Sequence, residues 1–228
     1  MESSGILEER KISNPKCGFK KRVGFKTQSF ITYRQKKKHE EHFDVKLFYK
    51  IRHFLQDNKH LKNDVDELFP SIYVGNVHFA RDLQGLQYRG ITHILNLAIE
   101  DSETGNEYYA DTAITYFEVE MYDEEDYDIK QHLEYTSDII DNALRENGKV
   151  LVHCHSGYRR SPTVAIAYMM MKQKFHLWDA IVEARSNRKI CPNSGFVEQL
   201  CMLERELYGH SSNLDLVEEN DETSVFSS

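Results

Sequence analysis

The chain has 228 residues, 40% of them hydrophobic, enough for one catalytic-sized domain with extensions. Its formal charge of -8 is unevenly spread: residues 1–38 carry eleven Lys and Arg against three Glu, a net of +8, which leaves -16 for the rest. Four cysteines, at 17, 154, 191 and 201, form no CxxC pair and no zinc-spaced cluster, so neither a disulfide framework nor a metal site is indicated and a reducing, intracellular setting fits. The start of the chain lacks the apolar core of a signal peptide, Glu2 rules out a myristoylation signal, and no run is long enough to span a bilayer; a soluble protein without membrane insertion is predicted.

Residues 1–40 are polar and basic without a sustained period, which predicts a mostly disordered arm. Such an arm is open to nucleic acid, an anionic membrane, an acidic partner groove or an import receptor, and equally to remaining a solvated tail that binds nothing. Residues 41–67 read as a helical extension: Phe43, Leu47, Phe48, Ile51, Phe54 and Leu55 recur at helical spacing, a stripe better suited to packing on the domain than to a partner.

From Leu68 to Gly209 short apolar runs alternate with longer amphipathic ones. SIYVGN is predicted as a strand, VHFARDLQGLQYRG as a helix closed by Gly90, ITHILNLA as a strand and ITYFEVEM as another. IKQHLEYTSDIIDNAL then reads as a helix and KVLVHC as a strand buried on both faces. SPTVAIAYMMMKQ is apolar nearly all round and predicts a buried helix, followed by the helices HLWDAIVEARSNR and SGFVEQLCMLERELY. The fold class is α/β: a central, mostly parallel sheet of about four to five strands flanked by helices. Residues 210–228 are acidic and Ser-rich and read as a disordered tail.

The stretch VLVHCHSGYRRSP places a lone Cys154 at the carboxyl end of a strand, where open α/β sheets keep their ligands. Ser161 would cap the next helix, with Pro162 at its first position. Backbone N–H groups of residues 155–160, backed by the helix dipole, would form an anion nest, and Gly157 would allow the tight turn. A cysteine at a helix N-terminus or beside cations titrates well below about 8.5, so Cys154 is expected to be a thiolate nucleophile. Arg160 can grip two phosphoryl oxygens at once, most usefully in the transition state. A buried structural cysteine in an ordinary strand-to-helix turn is the alternative, and the joint pattern of residue types speaks against it.

HCHSGYRRSP resembles the HCxxGxxR(S/T) signature of the cysteine-dependent protein phosphatases, and its RSP ending resembles the dual-specificity branch, closest in type to the small VHR-like atypical members. The likeness runs from about Leu68 to Tyr208 through IYVGN, GITHILNLA, AIAYMMM and CPNSGF. It implies a dual-specificity phosphatase catalytic domain over residues 68–209, hydrolysing phosphotyrosine and phosphoserine or phosphothreonine through a phosphocysteine intermediate, with no metal or other cofactor. Carried onto this chain, Cys154 is the nucleophile, Arg160 the phosphate clamp and Ser161 the hydroxyl that eases departure of the thiolate. His153 would orient the loop and tune the sulfur. His155, Ser156, Gly157, Tyr158 and Arg159 would line the phosphate seat. Asp123, 31 residues before Cys154 in the acidic run YDEEDYDIK, matches the family's general acid, with Asp126 as the fallback. Asn193 resembles an asparagine that braces the phosphate loop, or is simply a helix cap; Arg188 resembles a basic residue that meets a second substrate anion, or is simply surface charge.

The resemblance implies phosphoprotein substrates; the cysteine usage and the basic arm predict a cytoplasmic location with nuclear entry left open, and no nucleic-acid partner is expected. Rival expectations are a phosphoinositide phosphatase, though the loop lacks lysines; an RNA 5'-triphosphatase, which Ser-Pro and Asp123 disfavour; a phospho-binding pseudophosphatase; and a kinase-docking scaffold. Lys20, Lys21 and Arg22 before Val23 and Phe25, or Lys36 to Lys38 before Phe43 and Val45, loosely resemble a docking motif for MAP kinases.

Overall fold

A computed structural model describes residues 43–56, 63–102 and 104–209; the basic arm and the acidic tail lie outside them. Among the described residues a sheet of five strands runs in the order β1-β2-β5-β3-β4. The strands are β1 (Val65–Phe69), β2 (Ile72–Gly75), β3 (His93–Asn96), β4 (Thr115–Glu118) and β5 (Val150–His153). β1 is antiparallel to β2, and all other pairs are parallel.

β5 occupies the centre because both of its faces are apolar. Val150 and Val152 enter the larger core cluster, Leu151 the smaller one, and all four of its residues are buried. The same alternation divides β2, where Ile72 and Val74 face one layer and Tyr73 the other, as a period of two requires. Over the larger cluster lies helix α6 (Arg160–Met171), buried at every residue from Arg160 to Met170, which explains its lack of an amphipathic face. Helices α5 (Lys130–Arg145), α7 (Leu177–Asn187) and α8 (Ser194–Tyr208) pack around it. On the other face the short helices α2 (Val77–Ala80) and α3 (Leu83–Arg89), with Phe79, Leu86 and Tyr109, cover the smaller cluster.

Helix α1 (Val45–Phe54) begins where the Asp44 carboxylate accepts the Leu47 amide at 3.0 Å. Its apolar stripe faces the domain: Leu47 and Ile51 are buried, Phe54 packs on Trp178 with ring centroids 5.3 Å apart, and the Lys50 ammonium lies 3.9 Å from the same indole. The remainder of the stretch expected to be helical differs, since β1 starts within it at Val65. Its polar Asp66 and Glu67, a register shift between Glu67 and Phe69 and the following Pro70 hide the strand's alternation.

The helix expected over residues 77–90 is two helices, because Asn76 caps one by accepting from the Phe79 amide at 2.9 Å and Asp82 caps a second by accepting from the Gly85 amide at 2.9 Å. Gly90 closes the second with φ 69°, as its sequence position suggested. A further short helix α4 (Ile99–Ser102) and a single 3-10 turn (Asn106–Tyr109) follow β3. No helix among the described residues is long and apolar enough to cross a membrane.

Candidate active site

The carboxyl ends of β5, β3 and β4 converge on one spot. β5 ends at His153, whose carbonyl accepts from the Leu97 amide at 2.9 Å, and the chain turns at Cys154. Residues 155–159 form a loop that carries the chain into α6. Four of its carbonyls are tied outward. His155 O accepts from the Val77 amide at 3.1 Å, Tyr158 O from the Cys191 amide at 2.7 Å, and Arg159 O from the Thr163 amide at 3.2 Å. Gly157 O accepts from Nε of Arg188 at 3.0 Å. Because N–H and C=O point opposite ways across a planar trans peptide, the amides of residues 156, 158, 159 and 160 are turned toward the loop's other side. That is the geometry of an anion nest at a helix N-terminus.

Gly157 has φ 71°, and a Cβ there would meet Gly75 O and Nη2 of Arg188, each at 2.7 Å, so the turn requires glycine. His155 and Ser156 are exposed and Tyr158 is half-buried. Helix α6 begins two residues earlier than the sequence suggested. Ser161 does not cap it: its hydroxyl is buried and lies 3.3 Å from Sγ of Cys154. Pro162 is then the third helical residue, still within the first turn, where a missing N–H costs nothing.

Arg160 is buried, and its Nη1 donates to Leu97 O at 3.1 Å and to Met121 O at 3.0 Å, beyond the ends of β3 and β4. The guanidinium is therefore aimed by two strand ends. It lines a cleft of about 170 Å³ together with Ala98, Glu120, Met121 and Asp123. Asp126 instead lines a separate groove with Lys130, Gln199 and Glu206. Of the two acids considered, Asp123 is the one beside the phosphate loop.

His153 is fully buried, and neither ring nitrogen makes a well-formed hydrogen bond. Burial pushes its pKa down to about 4; the adjacent Cys154 backbone favours the charged form, and the Arg160 charge disfavours it. It is neutral at neutral pH, so it shapes the strand end without placing a positive charge beside the sulfur.

Three residues make contacts that the sequence did not suggest. Arg188 is 2% exposed and meets no solvent-borne anion: Nη1 donates to Asp66 Oδ2 at 2.6 Å and to Asn63 O at 3.2 Å, while Nε props the Gly157 carbonyl. It supports the phosphate loop from within. Asn193 does cap α8, its Oδ1 accepting from the Phe196 amide at 2.9 Å, but its Nδ2 donates to Oδ1 of Asp123 at 3.1 Å, so it braces the acid loop and not the phosphate loop. Arg159, expected to line the phosphate seat, donates from Nη1 to Oδ2 of the same Asp123 at 3.2 Å. Asp66 and Gly195 belong to the supporting structure and were not foreseen. Asp66 pairs with Arg188 across 122 positions, and a Cβ on Gly195 would overlap the Glu125 carbonyl of the acid loop.

The catalytic domain of dual specificity phosphatases matches residues 72–206 of this chain. Dual specificity protein phosphatase 26 of the rat is 36% identical over 160 residues, covering 70% of this chain and 76% of that protein. Among solved structures, human DUSP28 aligns with a TM-score of 0.59 at 27% identity, over 64% of this chain and 97% of that one. The human tyrosine phosphatase-like serine/threonine/tyrosine-interacting protein aligns with a TM-score of 0.58 at 30% identity, over 64% and 98%. With a buried cysteine below the loop, a buried arginine at its end and a carboxylate beside them, the chain belongs to the small dual-specificity phosphatases, a branch of the cysteine-dependent protein phosphatases.

Proposed function

We propose that this protein phosphatase hydrolyses phosphotyrosine and phosphoserine or phosphothreonine at Cys154. The observation that carries the assignment is the contact of Sγ with the buried Ser161 hydroxyl, at 3.3 Å, at the base of the loop formed by residues 155–160. In the first step the Cys154 sulfur attacks phosphorus in line with the scissile P–O bond. An S–P bond forms, the P–O bond breaks, and Asp123 gives its proton to the leaving oxygen. The loop amides and the Arg160 guanidinium hold the equatorial oxygens as charge builds on them. In the second step water attacks phosphorus, Asp123 takes back a proton, and the S–P bonding pair returns to sulfur. The Ser161 hydroxyl stabilises the departing thiolate by a hydrogen bond. The products are the free hydroxyl and inorganic phosphate.

Hydrolysis of an aryl phosphate in EDTA, compared with Cys154→Ser and Asp123→Asn, tests the assignment. Turnover must vanish with the first variant and fall about 100-fold or more with the second. Retained turnover in Cys154→Ser would refute it; phosphate binding without turnover in the unaltered protein would instead make it a pseudophosphatase. Phosphoprotein substrates are the partners the family supports. Binding to MAP kinases through residues 20–25 or 36–45 rests on sequence likeness alone and predicts that deleting residues 1–40 weakens kinase capture while leaving aryl phosphate hydrolysis intact. A cytoplasmic protein with a nuclear share is proposed from the unpaired cysteine spacing and the basic arm, and fractionation of cells with and without that arm checks it.

A further inference from the structure

Arg159 carries a role that its place in the motif does not announce. Its backbone is fixed, the carbonyl accepting both the amide and, at 2.6 Å, the hydroxyl of Thr163. Its side chain, half exposed, reaches Oδ2 of Asp123 at 3.2 Å. The other oxygen of that carboxylate takes the Asn193 amide at 3.1 Å, and Asn193 is held in turn by the Phe196 amide at the start of α8. The acid loop itself lies against α8: Gly195 leaves room for the Glu125 backbone, Gln199 donates to Tyr127 O at 2.8 Å, and its Oε1 accepts from the Ile129 amide at 2.8 Å. Asp123 thus hangs between two anchors. One is α8; the other is the phosphate loop itself.

We propose that Arg159 is a positioning residue for the general acid, tying Asp123 to the loop that seats the phosphoryl group so that proton donor and leaving oxygen keep a fixed spacing. The proposal rests on the assignment of Asp123 as the acid. It replaces the expectation that Arg159 binds substrate charge: its Nη1 is directed at the carboxylate, on the neighbouring loop. Asn193 alone fixes one oxygen, and a carboxylate held at one oxygen can still swing about its Cβ–Cγ bond. A second anchor on the other oxygen removes that freedom, and small displacements of a reacting group are costly in rate.

The experiment compares Arg159→Ala, Arg159→Lys, Asp123→Asn and the double variant Arg159→Ala with Asp123→Asn, on phenyl phosphate, whose leaving group needs a proton, and on an activated umbelliferyl phosphate, whose leaving group scarcely does. Arg159→Ala should lower kcat on phenyl phosphate by about fivefold, the size of one hydrogen bond to the acid, and on the activated ester by less than about twofold, with KM unchanged. Arg159→Lys should recover most of the loss. In the Asp123→Asn background the Arg159→Ala change should cost nothing further. Equal losses on both esters, a loss that persists without the Asp123 carboxylate, a gain in kcat, or a rise in KM at constant kcat would each overturn the proposal while leaving the acid assignment standing. If Asp123→Asn itself leaves phenyl phosphate hydrolysis unchanged, the acid assignment fails and the proposal with it.

Discussion

Removing Asp66 should unfold the phosphate loop's support without touching the catalytic cysteine. Arg188 is 2% exposed, and the Asp66 carboxylate at 2.6 Å is its counter-charge; it also donates to the neutral carbonyls of Asn63 and Gly157 and lies 5.7 Å from the centre of the Tyr158 ring. Asp66→Ala therefore leaves a buried guanidinium without a counter-charge, a situation that costs about 3–5 kcal/mol. Asp66 itself is partly exposed, with 14% of its side chain accessible, so the reverse change, Arg188→Met, strands a carboxylate that water can still reach and should cost less, about 1–2 kcal/mol. The double change should be milder than the sum, because no charge is then left alone. Urea unfolding followed by fluorescence reads these differences directly. At about 2–4 °C per kcal/mol for a domain of this size, Asp66→Ala should lower Tm by roughly 6–20 °C. Activity under native conditions should fall in both single variants, since Nε no longer holds the Gly157 carbonyl in place or is itself displaced. A loss below about 1 kcal/mol for Asp66→Ala, or strict additivity in the double variant, would refute the account of Arg188 as a buried prop.

Further outcomes are expected at neighbouring positions. Gly157→Ala should cost about 1–3 kcal/mol and abolish phosphate binding, because the left-handed φ of 71° and two contacts at 2.7 Å leave no room for a methyl group; calorimetry with inorganic phosphate checks it. Asn193→Ala should lose about 1 kcal/mol with the α8 cap and, beyond that, lower kcat on poor leaving groups through Asp123, which separates it from an ordinary cap deletion. The His153 value of about 4 lies below the ordinary 6.5, so the unfolded chain binds this proton more readily; its contribution to stability is whole above pH 6.5 and is lost as pH falls toward 4, a change of about 3 kcal/mol. Urea titrations across that window should show a shallower slope for His153→Gln than for the unaltered protein, and equal slopes would contradict it.

The central strand, the buried helix and the nucleophile loop were legible because their signals are contiguous. Val150 to Val152 is an unbroken apolar run, residues 161–171 are apolar nearly all round, and the chemistry of Cys154, Arg160 and Ser161 is packed into eight positions. What the sequence hid depends on pairs far apart. Arg188 reads as surface charge until β1, itself obscured by its bulge, brings Asp66 against it from 122 positions away. Asn193 was legible as a cap, but its second bond crosses 70 positions to the acid loop. The start of α6 lies two residues before the one its sequence suggests, because a capping serine and a serine facing a sulfur have the same local pattern, and only the fold decides which partner it takes. The sequence offers Arg159 only as charge along the phosphate seat, because its partner, Asp123, sits on another loop.

The phosphocysteine itself is the most direct test. Ser161→Ala should slow thiolate departure more than its formation, so rapid acid quench of that variant with an aryl phosphate should trap the intermediate, and mass spectrometry of its digest should find one phosphoryl group on the peptide bearing Cys154. The account predicts that label at Cys154, with a burst of the phenol ahead of phosphate release, and none in Cys154→Ser. A label on any other residue, or steady turnover in Cys154→Ser, would contradict it.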